Sequence, residues 1–280
     1  MSEPTQVLIL GGFSAGKTHF GAQLLSRLHH RRGELRLRVA APNLSLFETA
    51  LAKLSQGMTS EHTSGGLYET LVIPTRTTAG DEVDLVWPEY GGEQVDDIAK
   101  RRLLPSAWAN RVLKSEHWIL VIRLMSAKME YDFLNRPLDI LSMSSSRQPS
   151  QTINWSSQSS LIDLMQLLLF VKGQSTVRRI ARPKLLVLLS CWDELDLAEG
   201  NKPHDILLTH LPLFGEFLDV NWFPESLFTY GLSSLSKKLS SEVPDEDYKN
   251  KGPESFGYVV LPDGSQSPDL TLPIASVLGR

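Results

Sequence analysis

The sequence predicts an α/β fold of three layers, in which a mostly parallel β-sheet with one antiparallel edge strand has helices on both faces. Short apolar runs alternate with helical patterns, which is typical of parallel strands joined by helical crossovers. The strand signals lie at residues 7–10, 34–40, 67–73, 83–87, 117–123, 184–190 and 225–230. The helical patterns lie at residues 17–32, 44–55, 94–110, 159–172 and 204–218. Because residues 77–81 are too few for a crossover, the strands on either side of them should form a hairpin, which supplies the antiparallel strand.

The composition restricts which cellular compartment and which binding partners are expected. A chain of 280 residues with 41% hydrophobic residues can form one elaborated domain over residues 1–280. The net charge of −4 does not favour nucleic acid as a partner. The single cysteine, Cys191, suits a reducing compartment, and the first residues lack a signal-peptide pattern, so a cytoplasmic protein is expected. The most apolar helical stretch, residues 161–171, is too short to span a membrane.

Two segments are predicted to be surface insertions within this domain. Residues 142–160 are rich in serine, which predicts a solvated loop. Residues 242–255 are charged and contain Pro244 and Pro253, which predicts a flexible connector. Neither segment carries a motif of its own.

Residues 11–18, GGFSAGKT, match the G-x-x-x-x-G-K-[ST] pattern of a phosphate-binding P-loop. An apolar strand precedes them and a helical pattern follows, as in the strand–loop–helix unit of a P-loop NTPase. The backbone N–H groups of such a loop surround phosphate oxygens, and the helix N-terminus adds positive potential. The alternative is a glycine-rich turn that carries one surface lysine.

The residues assigned to this phosphate site are Gly11, Ser14, Ala15, Gly16, Lys17 and Thr18. Lys17 can reach the β- and γ-phosphates, which makes it a candidate catalytic residue. The Thr18 hydroxyl can ligate Mg²⁺.

Residues 87–93, WPEYGGE, follow the second hairpin strand and resemble the D-x-x-G segment of the TRAFAC-class P-loop GTPases. Glu89 takes the place of the Asp, with one extra methylene, and Gly92 is the glycine. The resemblance implies that the Glu89 carboxylate orders Mg²⁺ through water and that the Gly92 N–H contacts the γ-phosphate. Glu93 can accept a proton from water and is the candidate for control of hydrolysis. The alternative is an acidic turn after an edge strand.

Residues 190–194, SCWDE, follow an apolar strand and resemble the N-K-x-D base-recognition segment of the same class. Asp193 corresponds to the Asp, whose carboxylate can accept hydrogen bonds from N1–H and the exocyclic amine of guanine. Ser190 replaces the Asn and Cys191 replaces the Lys, so Trp192 is the candidate for stacking on the base. The alternative is that Asp193 caps the next helix.

Two further segments complete the nucleotide site. Residues 229–237 follow a strand and resemble the S-A-K loop, which implies that the backbone amides of Ser233 and Ser234 help to read the base. A serine-rich turn is the alternative. Residues 56–66 precede the hairpin and contain Thr63, the first candidate for a threonine that senses the γ-phosphate and Mg²⁺, with Thr59 as the second. Either threonine could instead be an ordinary loop residue.

The chain is thus similar to a TRAFAC-class G domain over nearly all of residues 5–280. More particularly, it resembles the bacterial double-GTPase families, which occur beside other proteins in conflict and defence gene clusters. The segments that carry this second resemblance are residues 88–94, 117–123 and 190–195 and the tail 261–273. It implies GTP or GDP with Mg²⁺ as cofactors, slow hydrolysis, and a switch that acts on other proteins of the same system.

Two other functions stay open at this point. One is a nucleotide-binding scaffold without significant hydrolysis, in which the ligand only stabilises an assembly. The other is a P-loop ATPase or small-molecule kinase. A kinase needs an arginine-rich lid, and the arginines of this chain form no recognisable lid.

Overall fold

The computed structural model describes residues 4–12, 14–30, 33–40, 45–59, 70–88, 95, 98, 101–127 and 156–279. The strands are β1 (Thr5–Gly11), β2 (Leu35–Leu37), β3 (Thr70–Thr77), β4 (Glu82–Pro88), β5 (His117–Arg123), β6 (Lys184–Ser190), β7 (Leu227–Ser233), β8 (Tyr258–Val260) and β9 (Gln266–Ser267). The helices are α1 (Lys17–His29), α2 (Ser45–Ser55), α3 (Ser106–Lys114), α4 (Ser157–Lys172), α5 (Pro203–His210), α6 (Pro212–Asn221), α7 (Glu246–Lys251) and α8 (Leu272–Leu278). None of these helices is long and apolar enough to cross a membrane.

All nine strands form one sheet, in the order β2-β3-β4-β1-β5-β6-β7-β8-β9. Its centre, from β4 to β7, is parallel. The predicted hairpin is present, since β3 pairs with β4 in antiparallel register. Further antiparallel strands extend the sheet at both edges: β2 pairs with β3, β8 with β7, and β9 with β8. The predicted α/β class, with a mostly parallel sheet between helices, is confirmed. Strand β2 lies within the predicted strand at residues 34–40, whereas its antiparallel pairing and the strands β8 and β9 are findings of the structure.

Both faces of the sheet are buried under helices. Along β1, Val7 and Ile9 join one apolar cluster, whereas Leu8 and Leu10 join the other. This alternation follows from the two-residue period of a strand and explains why β1 reads as a continuous apolar run. Helices α1, α2 and α8 cover the first face, and helices α3 to α6 cover the second.

Proline positions account for two differences between the predicted and observed helices. A single helix was expected over residues 94–110, but α3 begins at Ser106, directly after Pro105. Likewise, the pattern at residues 204–218 divides into α5 and α6, and Pro212 is the first residue of α6. Proline fits the first turn of a helix but not its interior, because it lacks the N–H that the ladder needs.

Residues 242–255 differ from the flexible connector that the sequence predicts. They contain α7, whose N-cap Asp245 accepts a hydrogen bond from the Tyr248 N–H, and a 3₁₀ turn at Pro253–Ser255. Tyr248 is fully buried and stacks on Phe256, with a distance of 4.0 Å between ring centroids. A buried aromatic residue at the centre of a charged stretch therefore fixes this segment.

This segment is held against α1, the helix that follows the P-loop. Gln23 Nε2 donates hydrogen bonds to Tyr248 Oη at 2.7 Å and to the Pro253 carbonyl at 3.0 Å. Arg27 donates to the Phe256 carbonyl at 2.6 Å and to Gln23 Oε1 at 2.9 Å. Since Gln23 and Arg27 are buried, these bonds satisfy polar groups that would otherwise be costly to bury.

The serine-rich insertion lies mostly outside the described residues, which resume at Ser156. Ser156 Oγ accepts a hydrogen bond from the Ser159 N–H at 3.2 Å and caps α4. The last serines of the predicted loop therefore form the first turn of α4. Serine is a preferred N-cap because its hydroxyl accepts a bond from an otherwise unpaired helix N–H group.

Replacement of the buried His117 should flatten the acid dependence of stability. Burial, with the charges of Arg182 and Lys184, lowers the pKa of His117 from 6.5 to about 4. The unfolded chain therefore binds this proton at a higher pH than the folded one, so stability is fully present above pH 6.5 and is lost as pH falls toward 4. From pH 7.5 to pH 5 the free energy of unfolding of the wild type should fall by about 2 kcal/mol more than that of His117→Phe.

Urea unfolding of both proteins at the two pH values measures this difference. Parallel losses of stability in the wild type and in His117→Phe would contradict the assignment.

Candidate functional site

The carboxyl ends of β1, β4, β6 and β7 lie at one edge of the sheet because these strands are mutually parallel. Four of the segments singled out in the sequence, at residues 11–18, 87–93, 190–194 and 229–237, lie at the ends of these strands, whereas residues 56–66 follow α2. In open α/β sheets, ligands bind at this carboxyl edge. The fold therefore brings the proposed phosphate and base segments to the same edge.

The P-loop has a backbone that a phosphate site requires. Gly11 ends β1, and Ser14 (φ 55°) and Gly16 (φ 77°) lie in the left-handed region. Gly16 is the N-cap of α1, so the first N–H groups of the helix point toward the loop. Ala15 is buried beneath the loop at 4% exposure. Such an arrangement of turns and a helix N-terminus attracts an anion.

Lys17, the first residue of α1, lies across this loop. Its Nζ donates hydrogen bonds to the main-chain oxygens of Gly11 and Gly12, both at 2.7 Å. The ammonium group is thus held beside the loop by two main-chain oxygens.

The residues around the start of α1 fit a magnesium ion in part. Thr18 supplies a hydroxyl next to the phosphate loop, and Mg²⁺ prefers oxygen ligands, including those of substrate phosphates. Within the described residues, no three His, Cys, Asp or Glu side chains form a metal-binding group. Glu89 and Thr63, the other two assigned metal residues, lie outside the described residues, as do Gly92 and Glu93.

Thr59, the second candidate for the switch threonine, contacts α1 directly. Its Oγ1 lies 2.8 Å from His19 Nε2, and its N–H donates to the Ser240 carbonyl at 3.0 Å. Burial lowers the pKa of His19, so this imidazole is neutral at pH 7. Thr59 therefore contacts His19, the residue that follows Thr18 in α1.

The base segment lies beside the P-loop, with room for a Cβ atom between them. A Cβ atom at Gly16 would lie 3.8 Å from Cys191 Sγ and 3.9 Å from Ser190 Cβ. These are van der Waals distances. Burial raises the pKa of the Cys191 thiol to about 11, so Cys191 is neutral where the N-K-x-D pattern has a lysine.

Asp193 is joined to the loop that follows β7. Ser233 Oγ donates a hydrogen bond of 2.5 Å to Asp193 Oδ1 and accepts one from the Ser236 N–H at 2.9 Å. Ser233 is fully buried and Ser234 is half-buried. Asp193 does not cap the next helix, because α5 begins only at Pro203 and Lys202 is its N-cap.

The expected stacking role of Trp192 is wrong. Its indole is only 5% exposed and belongs to the apolar cluster beneath α5 and α6. The ring lies flat on Gly231 of β7, where a Cβ atom would be 2.6 Å from the indole Cε3. Trp192 therefore fixes the base segment to the sheet instead of offering a face to a base.

An ion pair beside Asp193 was not predicted from the sequence. Arg123, the last residue of β5, donates from Nε to Glu194 Oε2 at 2.8 Å and from Nη2 to Glu194 Oε1 at 2.6 Å. The bonds to Glu194 raise the pKa of Arg123. The one signal in the sequence is a charge that ends an otherwise apolar strand, HWILVIR.

Solved GTPase structures resemble the fold at low identity. The S. cerevisiae Ski7 GTPase-like domain bound to GTP is 14% identical, with a TM-score of 0.39 over 86% of this chain and 46% of that one. The signal recognition particle receptor SRβ–GTP/SRX complex from Chaetomium thermophilum is 12% identical, with a TM-score of 0.42 over 90% of this chain and 98% of that one. Bacterial selenocysteine-specific elongation factor EF-Sec is 10% identical, with a TM-score of 0.37 over 84% of this chain and 26% of that one. Similarity at these TM-scores carries no functional argument.

The chain spans less than half the length of Ski7 and EF-Sec in these alignments. A comparison with curated proteins finds no match. The Double-GTPase 1 family model, in contrast, matches residues 8–277, which include the P-loop, the base segment and the β7 loop. The resemblance inferred from the motifs is thereby confirmed, and the chain belongs to the Double-GTPase 1 family.

Proposed function

We propose that this protein binds Mg²⁺·GTP, hydrolyses it slowly, and acts as a switch for other proteins of a bacterial antiviral defence system in the cytoplasm. Residues 1–280 form a single elaborated G domain in this proposal. Membership of the family supports guanine-nucleotide binding. The observation that carries the proposal is the close approach of the base segment to the P-loop, where Ser190 and Cys191 leave room for a Cβ atom at Gly16 at van der Waals distance.

Because the two segments are so close, one nucleotide can reach both the P-loop and the base segment. Phosphates bound by the N–H groups of the P-loop would lie at the start of α1, and Asp193 is two residues after Cys191, which lies beside Gly16. Asp193 Oδ1 accepts from Ser233, and among the described residues Oδ2 accepts no hydrogen bond. A carboxylate oxygen at this point can accept from the N1–H and the amine of guanine, which adenine does not present together.

The remaining assigned residues complete the proposed site. Lys17 neutralises phosphate charge, while Thr18, Glu89 and Thr63 hold Mg²⁺ directly or through water. When bound, the ion offsets the charge that develops on the β- and γ-phosphates. The N–H of Gly92 contacts the γ-phosphate, and the amides of Ser233 and Ser234 face the base.

Nucleotide exchange into the pure protein tests the proposal. The protein is incubated with equal amounts of GTP, ATP and Mg²⁺, freed of unbound ligand, and the retained nucleotide is identified by chromatography. Retention of GTP or GDP supports the assignment of Asp193. Equal retention of adenine nucleotides would instead favour a P-loop ATPase.

Glu93→Ala should reduce the single-turnover rate of GTP hydrolysis at least tenfold and leave the affinity for GTP nearly unchanged. Glu93 can accept a proton from the attacking water, but in this role its charge would be close to the negative γ-phosphate, so even the wild type should be slow. A rate of about 10⁻⁴ to 10⁻² s⁻¹ is expected, as in GTPases without an added arginine. A loss in rate without a loss in binding is the pattern of a transition-state role.

The matched control is Glu225→Ala, which removes an exposed carboxylate remote from the P-loop. Equal rates in Glu93→Ala and the wild type would reject the assignment of Glu93. No hydrolysis by the wild type at any Mg²⁺ concentration would favour a nucleotide-binding scaffold.

A further inference from the structure

The ion pair between Arg123 and Glu194 joins the carboxyl end of β5 to the loop that follows the neighbouring strand β6. Arg123 ends β5 and pairs in register with Ser190, the last residue of β6. Both oxygens of Glu194 are engaged by the guanidinium, at 2.6 and 2.8 Å, and both side chains are partly buried. Because both ends of the guanidinium fork are used, the bond fixes the orientation of the carboxylate as well as its distance.

The loop that carries Asp193 needs such support. Cys191 (φ 53°) and Asp196 (φ 48°) are non-glycine residues in the left-handed region, a conformation that costs free energy and persists only where the surroundings impose it. Trp192 is fixed on one side of Asp193 by its packing on Gly231. Glu194 is fixed on the other side by Arg123. Asp193 thus lies between two anchored neighbours.

We propose that Arg123 is a positioning residue for nucleobase selectivity: through Glu194, it holds Asp193 where its free oxygen meets the 2-amino group of guanine. This inference rests on the proposed function. Without the pair, the loop keeps the Trp192 anchor and the Ser233 bond but loses the support that sets the direction of the Asp193 side chain. Displacement of about 1 Å is enough to weaken a recognition contact of this kind.

Charge gives the pair a second role. Glu194 is a carboxylate directly beside Asp193, and an unpaired carboxylate there would compete for the donors of the base. The bidentate guanidinium occupies both Glu194 oxygens. Of the two adjacent carboxylates, Asp193 is therefore the one that stays available to accept from guanine.

The comparison of GTP with ITP tests this role, because hypoxanthine keeps the N1–H of guanine but lacks its 2-amino group. Dissociation constants of both nucleotides are measured for the wild type, Glu194→Gln and Arg123→Gln. The preference of the wild type for GTP over ITP should fall about tenfold in both variants, because GTP loses bonds from its N1–H and its 2-amino group, whereas ITP loses only the bond from its N1–H. A tenfold change corresponds to about 1.4 kcal/mol.

The matched control is Arg182→Gln, which breaks the exposed pair between Arg182 and Glu116 before β6 and should leave the preference unchanged. Arg123→Lys keeps the positive charge but loses the bidentate geometry of the guanidinium. We therefore expect its preference for GTP over ITP to lie between those of the wild type and Arg123→Gln. If Arg123→Gln does not fold, Glu194→Gln and Arg123→Lys decide by the same ratio.

Two outcomes would overturn the inference, and they differ in whether the proposed function also fails. If the wild type prefers GTP but the Arg123 and Glu194 variants keep its full preference, or lose GTP and ITP affinity equally, the pair has only a structural role and the proposed function stands. If the wild type itself does not distinguish GTP from ITP, the assignment of Asp193 in the proposed function fails as well.

Discussion

Lys17→Ala should weaken GTP binding about a hundredfold or more while the protein stays folded. Lys17 supplies an ammonium group beside the P-loop, 2.7 Å from the Gly11 and Gly12 carbonyls. Hydrogen bonds to charged groups contribute about 1.5–3 kcal/mol each, and a triphosphate offers this ammonium more than one oxygen. A loss of two such bonds corresponds to a factor of a hundred or more, at about 1.4 kcal/mol per factor of ten.

The fold should survive because the replaced side chain lies in the first turn of α1, where alanine is a good helix former. Calorimetric titration with GTP measures the affinity, and circular dichroism shows whether the variant is folded. Lys114→Ala, at the exposed end of α3, is the control for loss of a helical lysine. Unchanged affinity in Lys17→Ala would remove the P-loop assignment.

The centre of the fold could be predicted from the sequence because its strands are long and buried on both faces. The apolar runs of β5 and β6 stand out against polar surroundings, and the short turn before β4 leaves room only for a hairpin. Strands β8 and β9 have three and two residues, too few for a period to be recognised. They form because β7 offers an unpaired edge, which is a property of the assembled sheet.

The same limit applies to the segment with α7. Its charge and prolines predict a solvated connector, and the stacking of Tyr248 on Phe256 depends on α1 lying underneath. Composition describes the average exposure of a segment, whereas one buried aromatic residue decides its conformation.

The candidate site was predictable where a motif fixes the backbone and not where burial decides the role. The P-loop pattern predicted the loop between β1 and α1 and the place of Lys17 beside it, because the spacing of the glycines determines the turn; the left-handed conformation of Gly16 is a finding of the structure. Trp192 was misassigned since the sequence does not show that Gly231 leaves room for its ring. The bond between Arg123 and Glu194 depends on the register of β5 with β6, which only the structure provides.

Asp193→Asn should reverse the base preference of the protein from guanine to xanthine. Ser233 donates to one oxygen of Asp193, and the asparagine carbonyl can keep that bond. The amide nitrogen then replaces the oxygen that faces the base, so a donor meets the N1–H and 2-amino donors of guanine. Loss of these charge-assisted bonds should weaken GTP binding by about 2–4 kcal/mol, or about 30- to 700-fold.

Xanthine carries a carbonyl oxygen at C2, which can accept from the new amide, so XTP should bind Asp193→Asn more tightly than GTP does. Competition of GTP and XTP for a fluorescent nucleotide measures both affinities in one assay. Asp196→Asn is the matched control, because it removes the same charge from the same loop at an exposed left-handed position that asparagine tolerates. Asp196→Asn should keep the preference for GTP. A preference for GTP in Asp193→Asn as strong as that of the wild type would mean that a group other than this carboxylate reads the base.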